Sequence, residues 1–329
     1  MSRAPLLPAR IAGTGSVPAG PAVPTAEVVA RVAGPWDAAE VARRTGIASR
    51  AFAPPDVGCA ALGAQALRAA LDVAGLDAGA LDRLIFVSSL GGDVLAPATA
   101  NLVAAELGLA SSCDCFDLNN ACMGFLSALD VAARGVATGQ RAIGIVVVDL
   151  TSRFITPEDP RPFLVFGDGV AAAVVAPATG AEGILGVVLR NDGTNPGEVT
   201  VAHPGLTGRR ETIRFASSNS RMAELALALF RRGVDDVLAQ AGLDLAEIDW
   251  VVPHQPNGAM LATIVEELGL DRSRIVPVVH EVGSVGAASI PLGLDRLMRS
   301  GRVRPGHRIL LVGVGAGLSS GAIVLRVGA

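Results

Sequence analysis

A cysteine and a histidine of this chain could act as nucleophile and base, and each follows a strand-like pattern. Cys122 follows a strand-like apolar run and precedes a helical pattern of apolar residues. His254 follows a second apolar run. A helix N-terminus presents free N–H groups and partial positive charge, which favour a thiolate over a thiol. The position therefore predicts a nucleophilic Cys122, and a buried structural cysteine is the alternative.

The sequence repeats a helix–strand pattern in its second half. Residues 74–87 resemble residues 241–254 at an offset of 167, and residues 141–148 resemble residues 307–314 at an offset of 166. Two matches at nearly one offset favour an internal duplication of about half the chain. Unrelated helix–strand units are the alternative.

A duplication predicts two similar α/β halves with mostly buried sheets, packed about a pseudo-twofold axis. Residues 1–177 would form the half with Cys122, and residues 178–329 the half with His254. Strand ends from both halves would then meet at the axis, so His254 is expected to meet Cys122 there.

Composition excludes several classes of function. The 329 residues carry a net charge of −4, which gives no basic footprint for nucleic acid. No unbroken, uncharged apolar run reaches about 18 residues, so no membrane span is predicted. All 27 basic residues are arginine, which excludes lysine Schiff-base chemistry and the lysine of a P-loop.

The cysteines indicate neither a metal site nor a disulfide framework. The four are Cys59, Cys113, Cys115 and Cys122, and no two have the C-x-x-C spacing of zinc sites. Reduced thiols fit a cytoplasmic location, which is expected for this chain.

Five motifs in one order resemble the beta-ketoacyl synthase III family of the thiolase superfamily. They are Asn-Ala-Cys-Met-Gly-Phe (120–125), Phe-Gly-Asp-Gly (166–169), Val-Pro-His-Gln-Pro-Asn (252–257), Gly-Ser-Val-Gly-Ala-Ala-Ser-Ile-Pro (283–291) and Val-Gly-Ala-Gly-Leu-Ser-Ser-Gly (314–321). The resemblance runs from about Arg44 to the C-terminus. It implies an α/β, thiolase-like fold of two duplicated α-β-α-β-α halves.

The resemblance also implies roles for individual residues. Cys122 would take an acyl group from a carrier-protein or coenzyme A thioester, and His254 would act as general base and acid. The backbone N–H groups of Cys122 and Ala316 would form the oxyanion hole. The resemblance implies an acyl carrier protein, acyl-CoA or both as substrates, and no bound cofactor. It also implies a homodimer.

Five residues are predicted to bind substrate. They are Ala96, Asn257, Phe125, Arg44 and Arg161. Ala96 aligns with a family phenylalanine that closes the acyl tunnel from the partner subunit, so a wider pocket is expected here.

The main departure from the family lies at Ser284, where the family has a catalytic asparagine. In the family that asparagine and the histidine stabilise the enolate formed when a malonyl group loses CO₂. A hydroxyl offers one donor where an amide offers two, and one lost oxyanion donor costs about 100- to 1000-fold. Ser284 is expected to orient His254 or a water, and a Glu281 turned inward is an alternative replacement.

Acyl transfer without decarboxylation, in a polyketide or other secondary-metabolite pathway, is therefore the favoured function. The alternatives are a condensing ketosynthase that forms a carbon–carbon bond and a non-catalytic partner subunit of a ketosynthase heterodimer.

Carrier-protein docking is expected to differ from that of the family. The helix at residues 261–267 ends in two glutamates, where the family has a basic helix. Like charges would repel an acidic carrier protein. Docking through Arg209, Arg210, Arg214 and Arg221 is one alternative, and an unconventional thioester partner is the other.

Overall fold

The computed structural model describes residues 5–110 and 113–328, which contain two main sheets and their covering helices. The strands are β1 (Ala9–Ser16), β2 (Ala22–Pro24), β3 (Ser49–Ala51), β4 (Arg83–Val87), β5 (Asp114–Leu118), β6 (Ile143–Asp149), β7 (Gly169–Pro177), β8 (Gly183–Asn191), β9 (Val199–Thr200), β10 (Arg214–Phe215), β11 (Trp250–Pro253), β12 (Arg308–Gly315) and β13 (Ser319–Arg326). The α-helices are α1 (Thr25–Val29), α2 (Ala38–Thr45), α3 (Cys59–Ala74), α4 (Thr99–Glu106), α5 (Gly124–Ala137), α6 (Pro160–Phe163), α7 (Pro204–Thr207), α8 (Asn219–Ala241), α9 (Gly258–Glu267), α10 (Val279–Val282) and α11 (Ser289–Arg299).

The two main sheets have equivalent strand orders. The first sheet has the order β1-β7-β6-β4-β5, and the second has the order β8-β13-β12-β11. In the first sheet β6 lies parallel to β4 and antiparallel to β7, which lies antiparallel to β1. In the second sheet β12 lies parallel to β11 and antiparallel to β13, which lies antiparallel to β8.

The helix–strand units that the repeat identified also fold alike. Gly75 ends α3 with a φ of 67°, and Gly242 ends α8 with a φ of 64°. Each glycine is followed by a short 3₁₀ turn, at residues 78–80 and 245–247, and then by β4 or β11. The predicted duplication is confirmed. The predicted boundary at residue 177 coincides with the end of β7, and the description of each half as a domain stays a prediction.

Two helices lie between the sheets and contact both of them. α5 packs on β4, β6 and β7 and also on β8 and β13, while α11 packs on β1, β7, β11 and β12. α3 and α4 cover the outer face of the first sheet, and α8 and α9 that of the second. The whole molecule has five layers in the order α-β-α-β-α, which buries β6 along its whole length.

The longest described helix, α8, has 23 residues and turns its apolar residues toward the second sheet. Across residues 5–110 and 113–328, no helix is both long and apolar enough to cross a membrane.

Candidate active site

Cys122 lies in the connection between β5 and α5, one residue before Met123, the N-cap residue of the helix. Ala121 has a φ of 45°, a conformation that costs a residue with a Cβ about 1–2 kcal/mol. Two hydrogen bonds hold this turn. Asn119 Oδ1 accepts from the Ala121 N–H at 2.9 Å, and the Asn120 carbonyl accepts from the Met123 N–H at 3.0 Å. The predicted strand-to-helix position of Cys122 is confirmed.

Asn120 ties this turn to the second half of the chain. Its side-chain amide donates to Ser127 Oγ in α5 at 2.9 Å. Its amide oxygen accepts from Ser319 Oγ, at the start of β13, at 3.0 Å. Because one amide is bonded from both halves, the Cys122 turn is fixed relative to the second sheet.

His254 directly follows β11, and its backbone N–H donates to the Val312 carbonyl of β12 at 2.8 Å. The next residue, Gln255, is fully buried. Its N–H donates to Ser289 Oγ at 3.0 Å, and its side-chain amide bonds three backbone groups of residues 276–279. These hydrogen bonds fix the backbone that carries His254.

Two glycines of β12 let Cys122 and His254 approach each other. A Cβ atom on Gly313 would lie 2.9 Å from Met123 Sδ and 3.5 Å from His254 Cβ. A Cβ atom on Gly315 would lie 3.1 Å from the Cys122 backbone nitrogen and 3.3 Å from Cys122 Cβ. Residues two apart on a strand face the same side, about 6.6 Å from each other. The structure therefore places Cys122 and His254 side by side over β12, as the duplication predicted.

The pKa values of both residues move toward the neutral forms. Burial raises the pKa of Cys122 to about 12, and the Asp149 carboxylate adds to this rise. The N–H groups of Cys122 and Ala316 act in the opposite direction and lower this pKa. Burial lowers the pKa of His254 to about 4, and its Nδ1 has no hydrogen-bond partner among the described residues. Desolvation thus opposes the thiolate that the helix N-terminus favours.

At neutral pH the pair rests as a thiol and a neutral imidazole. A neutral imidazole can take the thiol proton while the sulfur attacks a carbonyl carbon. The two N–H groups that act on the Cys122 sulfur belong to Cys122 and Ala316, the predicted oxyanion-hole residues. Their role toward an acyl oxygen stays a prediction.

Ser284 lies on a buried turn beside the His254 segment. Its side chain is 3% exposed, and its backbone is bonded to Val165 and Gly167, each at 2.9 Å. Five residues further on, Ser289 accepts the hydrogen bond from Gln255. Ser284 thus lies in the segment that leads into α11, whose first residue anchors Gln255, and its catalytic role stays a prediction.

Glu281 does not replace the family's asparagine. Its side chain is exposed and pairs with Arg296 at 2.7 Å. The alternative of an inward-turned Glu281 was wrong, because water and a guanidinium stabilise this charge at the surface while burial would cost free energy.

Asp149 is a residue that the sequence reasoning missed. It ends β6, is fully buried, and accepts hydrogen bonds from Ser88 Oγ at 3.0 Å, Ser89 N–H at 2.6 Å and Ser89 Oγ at 2.7 Å. It also accepts from the Ala287 N–H of the second half at 2.6 Å. The available signal was a single acidic residue at the end of the apolar run 143–148.

Four predicted substrate-binding residues occupy different environments. Arg44 and Ala96 are exposed. Phe125 is fully buried in the core between the sheets. Asn257 is half-buried and caps α9, where its Oδ1 accepts from the Met260 N–H at 2.8 Å. Their roles in substrate binding stay predictions.

Arg161, the fifth of these residues, is held by the second half. Its Nη1 donates to the Ser217 carbonyl at 2.6 Å, and its guanidinium lies 4.3 Å from the centroid of the Phe215 ring. Partial burial lowers the pKa of Arg161. Its guanidinium face is therefore already occupied by an aromatic ring, and its substrate role stays a prediction.

Three arginines of the alternative docking surface are already paired with carboxylates. Arg209 and Arg214 share Glu211, at 2.8 and 3.8 Å. Arg221 pairs with Glu224 at 2.9 Å. These pairs compensate part of the positive charge that docking would use, and this surface stays a prediction.

Two equivalent sheets around a shared helical layer, with Cys122 and His254 together at strand ends, define a protein of the thiolase-fold class. Residues 41–153 match the family described as thiolase, N-terminal domain. Residues 116–193 match 3-oxoacyl-[acyl-carrier-protein (ACP)] synthase III, and residues 238–327 match its C-terminal family.

Similar proteins of known sequence or structure agree. The beta-ketoacyl-[acyl-carrier-protein] synthase III of Neisseria meningitidis serogroup C is 34% identical over 322 residues, which cover 97% of this chain and 99% of that protein. The chain belongs to the beta-ketoacyl-[acyl-carrier-protein] synthase III family and is an acyl-transferring enzyme. The 3-oxoacyl-(acyl carrier protein) synthase III structure from Pseudomonas aeruginosa PAO1 is 32% identical with a TM-score of 0.88, covering 99% of both chains. The priming beta-ketosynthase of the R1128 polyketide biosynthetic pathway is 32% identical with a TM-score of 0.89, covering 99% of this chain and 98% of that one.

Proposed function

We propose that this enzyme moves an acyl group from a coenzyme A or carrier-protein thioester onto Cys122 and then onto an oxygen, nitrogen or sulfur acceptor. It would belong to an acyltransferase-type subgroup without the catalytic asparagine, in polyketide or other secondary-metabolite biosynthesis. The observation that carries the proposal is Ser284, buried in the segment before α11, where the family has that asparagine.

In the first transfer the Cys122 sulfur attacks the thioester carbonyl carbon while His254 takes the thiol proton. The carbonyl oxygen becomes an oxyanion, which the N–H groups of Cys122 and Ala316 stabilise. The intermediate collapses by breaking the carbon–sulfur bond of the donor, and the imidazolium gives its proton to the leaving thiolate. The acyl group remains on Cys122 as a new thioester.

In the second transfer the acceptor heteroatom attacks the acyl carbon while His254 takes its proton. The bond to Cys122 breaks, and the cysteine sulfur receives the proton from the imidazolium. The thiol and the neutral imidazole of the resting site are restored, in agreement with the raised pKa of Cys122 and the lowered pKa of His254.

Neither transfer requires an enolate. Decarboxylation of a malonyl group does, because the electron pair of the breaking carbon–carbon bond passes to the thioester oxygen. A single serine hydroxyl offers fewer donors to that oxygen than an amide. Ser284 therefore favours transfer over condensation by about 100-fold or more.

Condensation is the second candidate function. It is favoured by the relatives, since the Neisseria and Pseudomonas proteins are named synthases and the R1128 protein is a priming ketosynthase. For this chain it would require another donor in place of the asparagine.

Intact mass spectrometry tests both candidates. The purified enzyme is mixed with a panel of acyl-CoA and acyl carrier protein thioesters, and we expect one acyl mass on the wild type and on Cys113→Ala but none on Cys122→Ala. Alcohols, amines and a second carrier thiol are then added as acceptors, and CO₂ release from malonyl thioesters is followed in parallel.

Release of the acyl group onto an acceptor without CO₂ supports transfer. Rapid CO₂ loss with a carbon–carbon product supports condensation and contradicts the proposal. Absence of acylation by every donor contradicts both.

We further propose that the enzyme is a cytoplasmic homodimer that uses acyl-CoA, an acyl carrier protein or both. Two features of the described chain support the dimer: β5 is an edge strand of its sheet, and Leu95, close to that edge, is 88% exposed. An edge strand with an adjacent exposed leucine fits pairing with a second copy.

A further inference from the structure

We infer that Asp149 is a positioning residue for this site: its buried carboxylate joins loops of both halves that contact the Cys122 turn, and its negative charge disfavours a charged sulfur. The inference rests on the proposed nucleophilic role of Cys122. No family motif in this sequence includes Asp149.

Hydrogen bonds show how Asp149 joins the two halves. Its Oδ1 accepts from the Ser89 N–H, in the loop after β4, at 2.6 Å. Its Oδ2 accepts from the Ala287 N–H, in the segment between Ser284 and α11, at 2.6 Å. A Cβ atom on Gly286 would lie only 2.2 Å from Asp149 Oδ2. Glycine at 286, with a φ of 53°, is therefore what allows the carboxylate to reach the loop that carries Ser284.

The same loops contact the segment of Cys122. The Asn119 side-chain amide donates to the Ser89 carbonyl at 3.5 Å. A Cβ atom on Gly124, two residues after Cys122, would lie 3.7 Å from Ala287 Cβ. A shift of the Asp149 carboxylate would therefore pass to the Cys122 turn from two sides.

Burial raises the pKa of Asp149, and the hydrogen bonds from Ser88, Ser89 and Ala287 oppose this rise by favouring the ionised carboxylate. The two backbone N–H groups can only donate, one to each oxygen, and no ion pair with Asp149 occurs within residues 5–110 and 113–328. The charge is thus held by dipoles and not neutralised by a cation. His254, the other titratable group at the sulfur, rests neutral, so the Asp149 charge acts directly on Cys122.

Replacement of Asp149 by asparagine should separate the effect of its charge on Cys122 from the effect of its hydrogen bonds on the loops. The amide removes the charge, so Cys122 ionises more easily and reacts about tenfold faster with a small alkylating agent below its pKa. The amide also turns an NH₂ group toward a backbone N–H, which displaces one loop. Because a shift of about 1 Å can cost about 100-fold in a positioned reaction, acyl transfer should become 10- to 100-fold slower.

Asp168 provides a matched control. It is also a buried aspartate, 2% exposed, and accepts from the Ala53 N–H at 2.7 Å, the Ser152 N–H at 2.8 Å and Ser152 Oγ at 2.7 Å. Its partners belong to the first half and do not carry Cys122 or His254. Asp168→Asn should therefore lower stability without changing the reactivity of Cys122.

The test measures iodoacetamide alkylation of the Cys122 peptide by mass spectrometry from pH 6 to pH 10, for wild type, Asp149→Asn, Asp149→Glu and Asp168→Asn. We expect the Asp149→Asn profile to move to lower pH, the Asp149→Glu and Asp168→Asn profiles to stay with the wild type, and acyl transfer to fall in Asp149→Asn. An unmoved Asp149→Asn profile would show that Asp149 only supports the fold. The alkylation needs no acyl donor, so failure of the proposed acyl transfer would be seen separately.

Discussion

Cys122 and His254 share an environment that makes both of them neutral. Desolvation disfavours the charged form of each group, raising the pKa of the thiol to about 12 and lowering that of the imidazole to about 4. Both shifts favour a resting thiol and a neutral imidazole, so we expect His254 to act as a base during the attack itself. The small thiolate fraction should make the free site react slowly with small electrophiles.

Stability should fall on acidification because of His254. The pKa of this residue falls from 6.5 to about 4 on folding. The unfolded chain therefore takes up the proton first, and stability is lost as the pH falls from 6.5 toward 4. Urea unfolding at pH 7 and pH 4.5 measures how far the free energy of unfolding falls on acidification. This fall should be about 2 kcal/mol larger for the wild type than for His254→Asn. Equal losses in the two proteins would contradict the burial of a neutral His254.

Ser284→Asn should restore part of the condensing chemistry. An amide at this position offers the second donor that an enolate oxygen requires, so CO₂ release from a malonyl thioester should rise by about 10-fold or more. Ser284→Ala serves as the control and should leave CO₂ release at the wild-type level. The measurement is CO₂ release with Cys122 already acylated. If CO₂ release by Ser284→Asn stays at the wild-type level, another feature prevents decarboxylation.

At the scale of elements, β12 is the surface on which the site is assembled. Its parallel pairing with β11 fixes His254, and its glycines leave the space that the Cys122 turn fills. Because glycines of β12 leave this space, we expect a larger residue at one of them to move the Cys122 turn and to slow acylation.

Gly315→Ala should slow acylation of Cys122 strongly at a modest cost in stability. Its Cβ would lie 3.1 Å from the backbone nitrogens of Cys122 and Met123, so the turn has to move. We expect acylation to slow by about 100-fold, from the time course of intact mass, with less than about 3 kcal/mol lost in urea unfolding. Gly197→Ala, whose Cβ would meet nothing within 4 Å, is the matched control. Similar acylation rates in the two variants would contradict this account of β12.

At the scale of the whole molecule, an edge strand of the first sheet lies near exposed apolar residues. β5 is that edge strand, and its Asp117 accepts from the Thr99 N–H at 2.7 Å, which holds the start of α4 against it. The segment just before α4 contains the exposed residues Val94 and Leu95. We propose that this edge strand and the apolar segment together bind a second copy.

Leu95→Asp should weaken self-association, because a charge in an apolar contact loses hydration without gaining a partner. Sedimentation velocity across a concentration series should show a dissociation constant at least about tenfold higher than that of the wild type. Leu206→Asp is the matched control, since Leu206 and Leu95 are both 88% exposed. A monomeric wild type, or equal weakening by both substitutions, would contradict the proposed dimer surface.

Local patterns in the sequence determined much of this protein. The mostly buried sheets, the duplication and the positions of Cys122 and His254 followed from apolar runs and an offset of 167 or 166 residues. Each depends on neighbouring residues or on a repeat of them, so one sequence is sufficient to find it.

The tertiary structure decided what depends on contacts between distant residues. Asp149 meets Ser88 across 61 residues and Ala287 across 138 residues, and no local pattern specifies such contacts. Desolvation favours the neutral forms of Cys122 and His254, and a surface ion pair placed Glu281 outside the site. Protonation and charge follow from the dielectric surroundings of a folded chain, and those surroundings exist only after distant segments have packed together.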